Sequence, residues 1–187
     1  MRWRIFIFVA ILVLSSTVVL RTSFASIHEP YIGVYVTNDA ISSDTFTAII
    51  NISSTVPFVG YQFFLYWNRT YINATSLIDT PPTAWCPYPH VMGAVEWDFN
   101  ATHSRIIRAA WDTHSPFMAA TGNFTVATIT FKVLADSSIQ TTVRLDLDYE
   151  DTMLSNANGE KIKPYHVYDD DVNLIIEKAT EPETLTV

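Results

Sequence analysis

Alternation constrains this chain more than any other feature. In Val126-Ala-Thr-Ile-Thr-Phe-Lys-Val133 the apolar Ala127, Ile129, Phe131 and Val133 alternate with Thr128, Thr130 and Lys132. That period belongs to a strand with one face buried and the other wet. Earlier in the chain, Pro57-Phe-Val-Gly-Tyr-Gln-Phe-Phe-Leu-Tyr-Trp67 is equally rich in aromatic and β-branched residues but apolar on both faces. It reads as a central strand, or as a face awaiting a partner.

Further runs repeat the pattern. Tyr31 to Asn38 is followed by turn chemistry at Asn38-Asp-Ala40 and Ser42-Ser-Asp44. Thr45 to Ser53 then sets Phe46, Ala48, Ile50 and Ile52 on one face and Thr47, Ile49, Asn51 and Ser53 on the other. Thr70 to Leu77 is more polar. Ala94 to Phe99 and Arg105 to Trp111 form a hairpin around Asn100-Ala-Thr-His-Ser104. Thr142 to Glu150 places Val143, Leu145, Leu147 and Tyr149 inward, with Arg144, Asp146, Asp148 and Glu150 outward; Asp171 to Ile176 closes the series. Residues 80–93 read as a long loop, because the four prolines within 81–89 remove donors that a sheet ladder needs. About nine short strands without an intervening helix specify an all-β fold, an antiparallel β-sandwich. The expected centre of its core is Ile50, Phe63, Leu65, Ile129, Phe131, Leu145 and Leu147.

The N-terminus bears on compartment. Arg2 and Arg4 precede the apolar run Ile5 to Leu14, and Ser23-Phe24-Ala25 offers small residues where a signal peptidase reads. Residues 1–25 are therefore expected to be a signal peptide, with a mature start near Ser26. The rival reading is an uncleaved anchor, since apolar character resumes at Thr17 to Leu20 and a span needs roughly twenty residues. One domain then covers 29–176, and the polar 177–187 reads as a flexible tail or linker. The net charge of -8 becomes more negative once Arg2, Arg4 and Arg21 leave. An acidic surface argues against nucleic acid and anionic lipid as partners, so membrane contact is limited to the N-terminal segment if it stays uncleaved. Cys86 is the only cysteine, which rules out an intrachain disulfide and a cysteine-built zinc site. It is either a partly buried free thiol or one half of an intermolecular disulfide.

Five of the nine asparagines begin an Asn-X-Ser/Thr sequon: Asn51, Asn68, Asn73, Asn100 and Asn123. The excess over chance suits an exported glycoprotein, and each acceptor needs a wet side chain.

The strand framework resembles that of cohesin modules. Gly60-Tyr-Gln-Phe-Phe-Leu-Tyr-Trp67 is similar to their early strand, where glycine precedes an alternating run with glutamine near its start. Val126 to Val133 looks like a later strand of the same modules, and Asn158-Gly159 resembles their closing turn. The resemblance spans nearly all of 31–176 and implies a jelly-roll sandwich, a fold shared with related cellulose-binding modules. It also implies that one flat sheet face docks a dockerin domain of another protein. No dockerin-contacting position matches sharply enough to be carried over, and nothing in the chain resembles a dockerin's paired calcium loops.

Three features invite a chemical reading, each with a plainer one beside it. Asp146, Asp148, Glu150 and Asp151, joined in space by Asp169, Asp170 and Asp171 if the strands bring them together, supply the hard oxygen ligands calcium prefers, but outward carboxylates two apart also make an ordinary solvated face. No other cofactor is implied. Trp85 and Tyr88 in the proline-rich loop, near Trp67, Trp97 and Trp111, would stack on sugar rings if exposed; tryptophans in a sandwich also fill cores. Glu96 and Asp98 share a strand face as a glycosidase pair could, or are a simple surface pair. His28, His90, His103, His114 and His166 lack metal-ligand spacing. The expectation is a non-catalytic extracellular module that docks a dockerin-like protein; the alternative is a carbohydrate-binding module that recognises polysaccharide through exposed aromatics.

Overall fold

The inward phase of each alternating run becomes one wall of a sandwich in the computed structural model. It describes residues 30–176 apart from 38, 39, 88, 97, 98, 135–137 and 165. The expected signal peptide, the tail, His28, Tyr88, Trp97 and Asp98 lie outside the described residues. In chain order the strands are β1 (Tyr31–Val36), β2 (Ala40–Ile41), β3 (Thr45–Phe58), β4 (Gly60–Asn68), β5 (Ile72–Asp79), β6 (Pro89–Glu96) and β7 (His103–Asp112). There follow β8 (Ala120–Val133), β9 (Ile139–Leu147), β10 (Met153–Ser155), β11 (Lys161–Ile162), β12 (His166–Tyr168) and β13 (Asp170–Ile176). The nine expected strands are exceeded by four, β2 and β10 to β12. Each is two or three residues long, too short for alternation to register.

One sheet has the order β12-β1-β3-β8-β5. The other runs β11-β10-β4-β9-β13-β2, and the β6–β7 hairpin joins it through the free edge of β4. Pairing is antiparallel except for β1 with β12 and β2 with β13. Strand β4 is central, as its two-sided apolar character suggested: β7 pairs along its whole length on one side, while β10 and β9 share the other. Among the described residues no helix is long and apolar enough to cross a membrane.

The seven expected core residues are all at most 3 % exposed. Within one sheet Phe131 stacks on its cross-strand partner Phe46 at 5.2 Å, and between the sheets it receives the edge of Trp67 at 5.4 Å. The second contact orients the β8 wall against β4, because aromatic pairs add directional preference to burial. One charged pair also spans the interior margin. Arg108 lies in the inward phase of β7 opposite Phe63, and its Nε sits 3.3 Å from Asp79 Oδ1 on β5 of the other sheet. Burial holds the Asp79 carboxyl above the usual carboxylate range, and the Arg108 guanidinium opposes this only in part.

Four expectations change. The proline-rich stretch is not all loop: Pro89 to Gly93 belongs to β6, an edge strand, where a missing N–H can face away from the ladder. Tyr149 is half exposed because β9 stops at Leu147, after which Asp148 accepts the N–H groups of Glu150 and Asp151 and turns the chain. Asn158-Gly159 does not close the fold; it turns β10 into β11, with Gly159 at φ +76°, and two strands follow. Cys86 is exposed rather than partly buried.

Candidate docking face

Every second residue of β4 and β7 points away from the core, and the register lines these residues up in rows. Tyr66 lies beside Arg105, Phe64 beside Ile107, Gln62 beside Ala109, and Gly60 beside Trp111. Strand β6 extends each row with Glu96, Ala94, Met92 and His90 in turn. The row Phe64–Ile107–Ala94 is apolar, the next is apolar except for Gln62, and Met92 is 53 % exposed. On a wet face β4 would carry mostly polar residues here; instead aromatic and aliphatic side chains remain half covered, with no second layer above them among the described residues. Such a surface marks an interaction site more often than an ordinary exterior.

Arg105 organises the upper row. Its Nε donates to Glu96 Oε2 at 2.7 Å and its Nη1 to the Tyr66 hydroxyl at 3.4 Å. The guanidinium carbon stands 4.2 Å from the centroid of the Phe99 ring, which packs edge-on against Tyr66 at 5.2 Å. This cation–π and hydrogen-bond cluster holds three long side chains in one arrangement, which lowers the entropy lost when a partner covers them.

The lower rows form a shallow groove of about 310 Å³. Its floor is made of small residues, Gly60 and Ala109, and its walls of Met92, Trp111 and Met153. Gly60 is required there, because a Cβ would come within 2.6 Å of Ser155 Oγ and 3.2 Å of Trp111 Cβ. His90 covers the outer side of Trp111, ring centroids 4.5 Å apart. Just past the groove, Asp112 is fully buried and accepts hydrogen bonds from the N–H of Met118 and from both the N–H and Nδ1 of His114. Burial works to raise the Asp112 carboxyl, but the Met118 N–H and the His114 ring and N–H outweigh it and hold it below the usual range. This one carboxylate fixes the segment 113–118 beside the groove.

The outer face of the other sheet is different in kind. It presents Thr45, Thr47 and Asn51 of β3, Thr125, Thr128, Thr130 and Lys132 of β8, and Asn73 and Ser76 of β5, with Ile49 and an exposed Ile78 beside Thr128. Three sequon asparagines, Asn51, Asn73 and Asn123, lie on its strands, Thr125 Oγ1 donating to Asn51 Oδ1 at 2.8 Å. The remaining two, Asn68 and Asn100, sit at one end of the β4–β7 face rather than across it.

The other site residues expected from sequence are scattered. Trp85 is not an exposed sugar platform: it is 0 % exposed, stacked on Tyr61 at 5.9 Å and meeting Phe58 edge-on at 5.7 Å. The prolines fold the loop inward so that its indole plugs the end of the sandwich. Trp67 is likewise core. Asp146, Asp148 and Glu150 do not converge on a cation: Asp146 lies near Arg144, Asp148 caps its turn, and Glu150 faces Lys163 at 3.7 Å. Among the described residues no three His, Cys, Asp or Glu side chains are grouped to hold a metal. Burial and then the Asp169 carboxylate raise Asp146, with Arg144 opposing them. Glu96 is committed to Arg105. Sequence reasoning missed Arg105, Ile107 and Met92. The signal available was the second apolar face of β4, which called for a partner; only strand order shows that β7 and β6 flank it.

No family model and no curated protein matches the sequence. Solved structures do match. A type I cohesin from Clostridium thermocellum, determined in complex with a dockerin, superimposes with a TM-score of 0.60 at 12 % identity, over 78 % of this chain and 99 % of that one. A type II cohesin from Bacteroides cellulosolvens gives 0.58 at 16 % identity, over 79 % and 99 %. The second type II cohesin module of a cellulosomal adaptor scaffoldin from Acetivibrio cellulolyticus gives 0.56 at 20 % identity, over 80 % and 94 %. At such identities what is shared is architecture: this chain has the β-sandwich fold of a cohesin module.

Proposed function

We propose that this protein is a non-catalytic, extracellular docking module that binds a dockerin-like protein through the outer face of β6, β7 and β4. The observation that carries the reading is the contrast between the two sheets. One face is lined chiefly with threonines, with Ile49 and Ile78 as single apolar residues among them. The other offers Phe64, Ile107, Met92 and Trp111 around an arginine already immobilised by Glu96 and Phe99. A partner with an apolar ridge and acidic groups near Arg105 would suit it, since hot spots are aromatic and arginine side chains in a desolvated centre. The cohesin fold supports a protein partner, because cohesins of that fold have been determined in complex with dockerins. Residues 1–25 serve export in this reading.

The test is capture from the extracellular fraction of the native host, with wild type, Ile107→Asp and Thr128→Asp compared side by side. Retention by wild type and Thr128→Asp of a protein carrying dockerin-type paired calcium loops, lost with Ile107→Asp, supports the reading. Retention unaffected by Ile107→Asp overturns the face; specific binding to insoluble polysaccharide without any protein partner overturns the function.

A further inference from the structure

Two turns at one end of the docking sheet carry the same local device. Asn68 ends β4 and begins Asn68-Arg69-Thr70; Asn100 begins Asn100-Ala101-Thr102 between β6 and β7. In both, the carboxamide Oδ1 accepts the backbone N–H two residues on, at 2.9 Å. This is an Asx turn. At Asn100 the same oxygen also accepts the Thr102 hydroxyl at 3.2 Å and the His103 N–H at 2.8 Å. Because the carboxamide is planar, engaging its oxygen with the chain turns Nδ2 away from it. Asn100 is exposed and Asn68 half-buried. The turns are also tied together, since Asn68 pairs with His103 and the Arg69 N–H donates to Thr102 O at 3.0 Å.

The sequon at Asn51 is built differently. It lies inside β3, paired on one side with β1 and on the other with β8, and its Ser53 is 2 % exposed. An enzyme that reads the sequon must grip this backbone, which ladders hold on both sides, whereas Asn68 lies where β4 ends and Asn100 lies between β6 and β7. Asn73, inside β5, is paired to Lys132.

We infer that Asn68 and Asn100 are N-glycosylation acceptors of the folded protein and carry two adjacent oligosaccharides at the Phe99 end of the sandwich. The donor is an oligosaccharide linked through its C1 to a polyisoprenyl phosphate or diphosphate. Nδ2 attacks C1, the Nδ2–C1 bond forms, and the C1–O bond breaks with its electron pair staying on the phosphate oxygen. One of the two Nδ2 protons leaves to that phosphate or to water, and nothing is oxidised or reduced. The assignment stands whether or not the neighbouring face docks a partner.

The experiment is glycopeptide mass spectrometry on full-length protein purified from its native host. Peptides containing Asn68 and Asn100 should carry sugar, and the Asn51 peptide should not. In vivo, Asn68→Gln and Asn100→Gln should each lower the intact mass by one glycan. Thr70→Ala and Thr102→Ala, which keep the asparagines, should do the same. Unmodified Asn68 and Asn100 in the wild-type protein would overturn the inference, as would full occupancy of Asn51 beside bare turns. The wild-type map decides the question even if a variant fails to fold.

Discussion

Truncating Trp85 separates a core role from a surface role within one molecule. The indole is fully buried and touches Tyr61 and Phe58 at ring distances of 5.9 and 5.7 Å. Removing such a ring forfeits its transfer energy and leaves a cavity that the paired strands cannot collapse, so Trp85→Ala should cost about 3 to 5 kcal/mol. Against a total stability of about 5 to 15 kcal/mol for a domain, that is a large fraction. For a domain of this size each kcal/mol moves Tm by roughly 2 to 4 °C, so a fall of about 6 to 20 °C is expected. Urea unfolding followed by tryptophan fluorescence measures the free-energy loss and thermal circular dichroism the fall in Tm, and Trp85→Phe should recover part of both by refilling the site. The contrary result is a variant with an unchanged midpoint and slope that has lost affinity for a polysaccharide. That outcome would mean the ring works at the surface and the packing described for it is wrong.

Breaking the Arg108–Asp79 pair by Arg108→Met should destabilise by about 2 to 3 kcal/mol, less than a dry pair because both side chains keep about a fifth of their surface. The double variant Arg108→Met/Asp79→Leu should regain most of it in a denaturation cycle; no recovery would exclude their coupling. Asp112 has a depressed pKa in the folded state, so its contribution is fully present above the ordinary carboxylate range and is lost as pH falls through the lower folded value. Unfolding measured across that acid window should show a steeper loss for wild type than for Asp112→Asn, and equal slopes would refute the assignment. Gly93 has φ +155°, and a Cβ there would come within 2.0 Å of Ile107 O. Gly93→Ala should therefore loosen β6, seen as faster amide exchange at 89–96, while β3 and β8 stay protected.

What the sequence determined by itself was local. Alternation in Thr45 to Ile52, Val126 to Val133 and Thr142 to Leu147 assigned these strands and their inward faces, because side-chain period 2 is fixed by the backbone alone; it failed at Ser53, which is buried past a register shift after Ile50. The same period placed Asn51 on the wet side, and the similarity of Gly60 to Trp67 to a cohesin strand pointed to the right architecture. Tertiary structure decided whatever depends on neighbours. Trp85 could be read as exposed or buried until the loop was seen folding over Tyr61. The carboxylates of Asp146, Asp148 and Glu150 could gather a cation or disperse, and Arg144, the turn at 148–151 and Lys163 disperse them. The apolar face itself required strand order: Phe64, Ile107 and Met92 are far apart in sequence, and only the β4–β7–β6 pairing brings them onto one surface. Pairing between distant strands rests on a complementary register and a shared core, and neither is written in either strand alone.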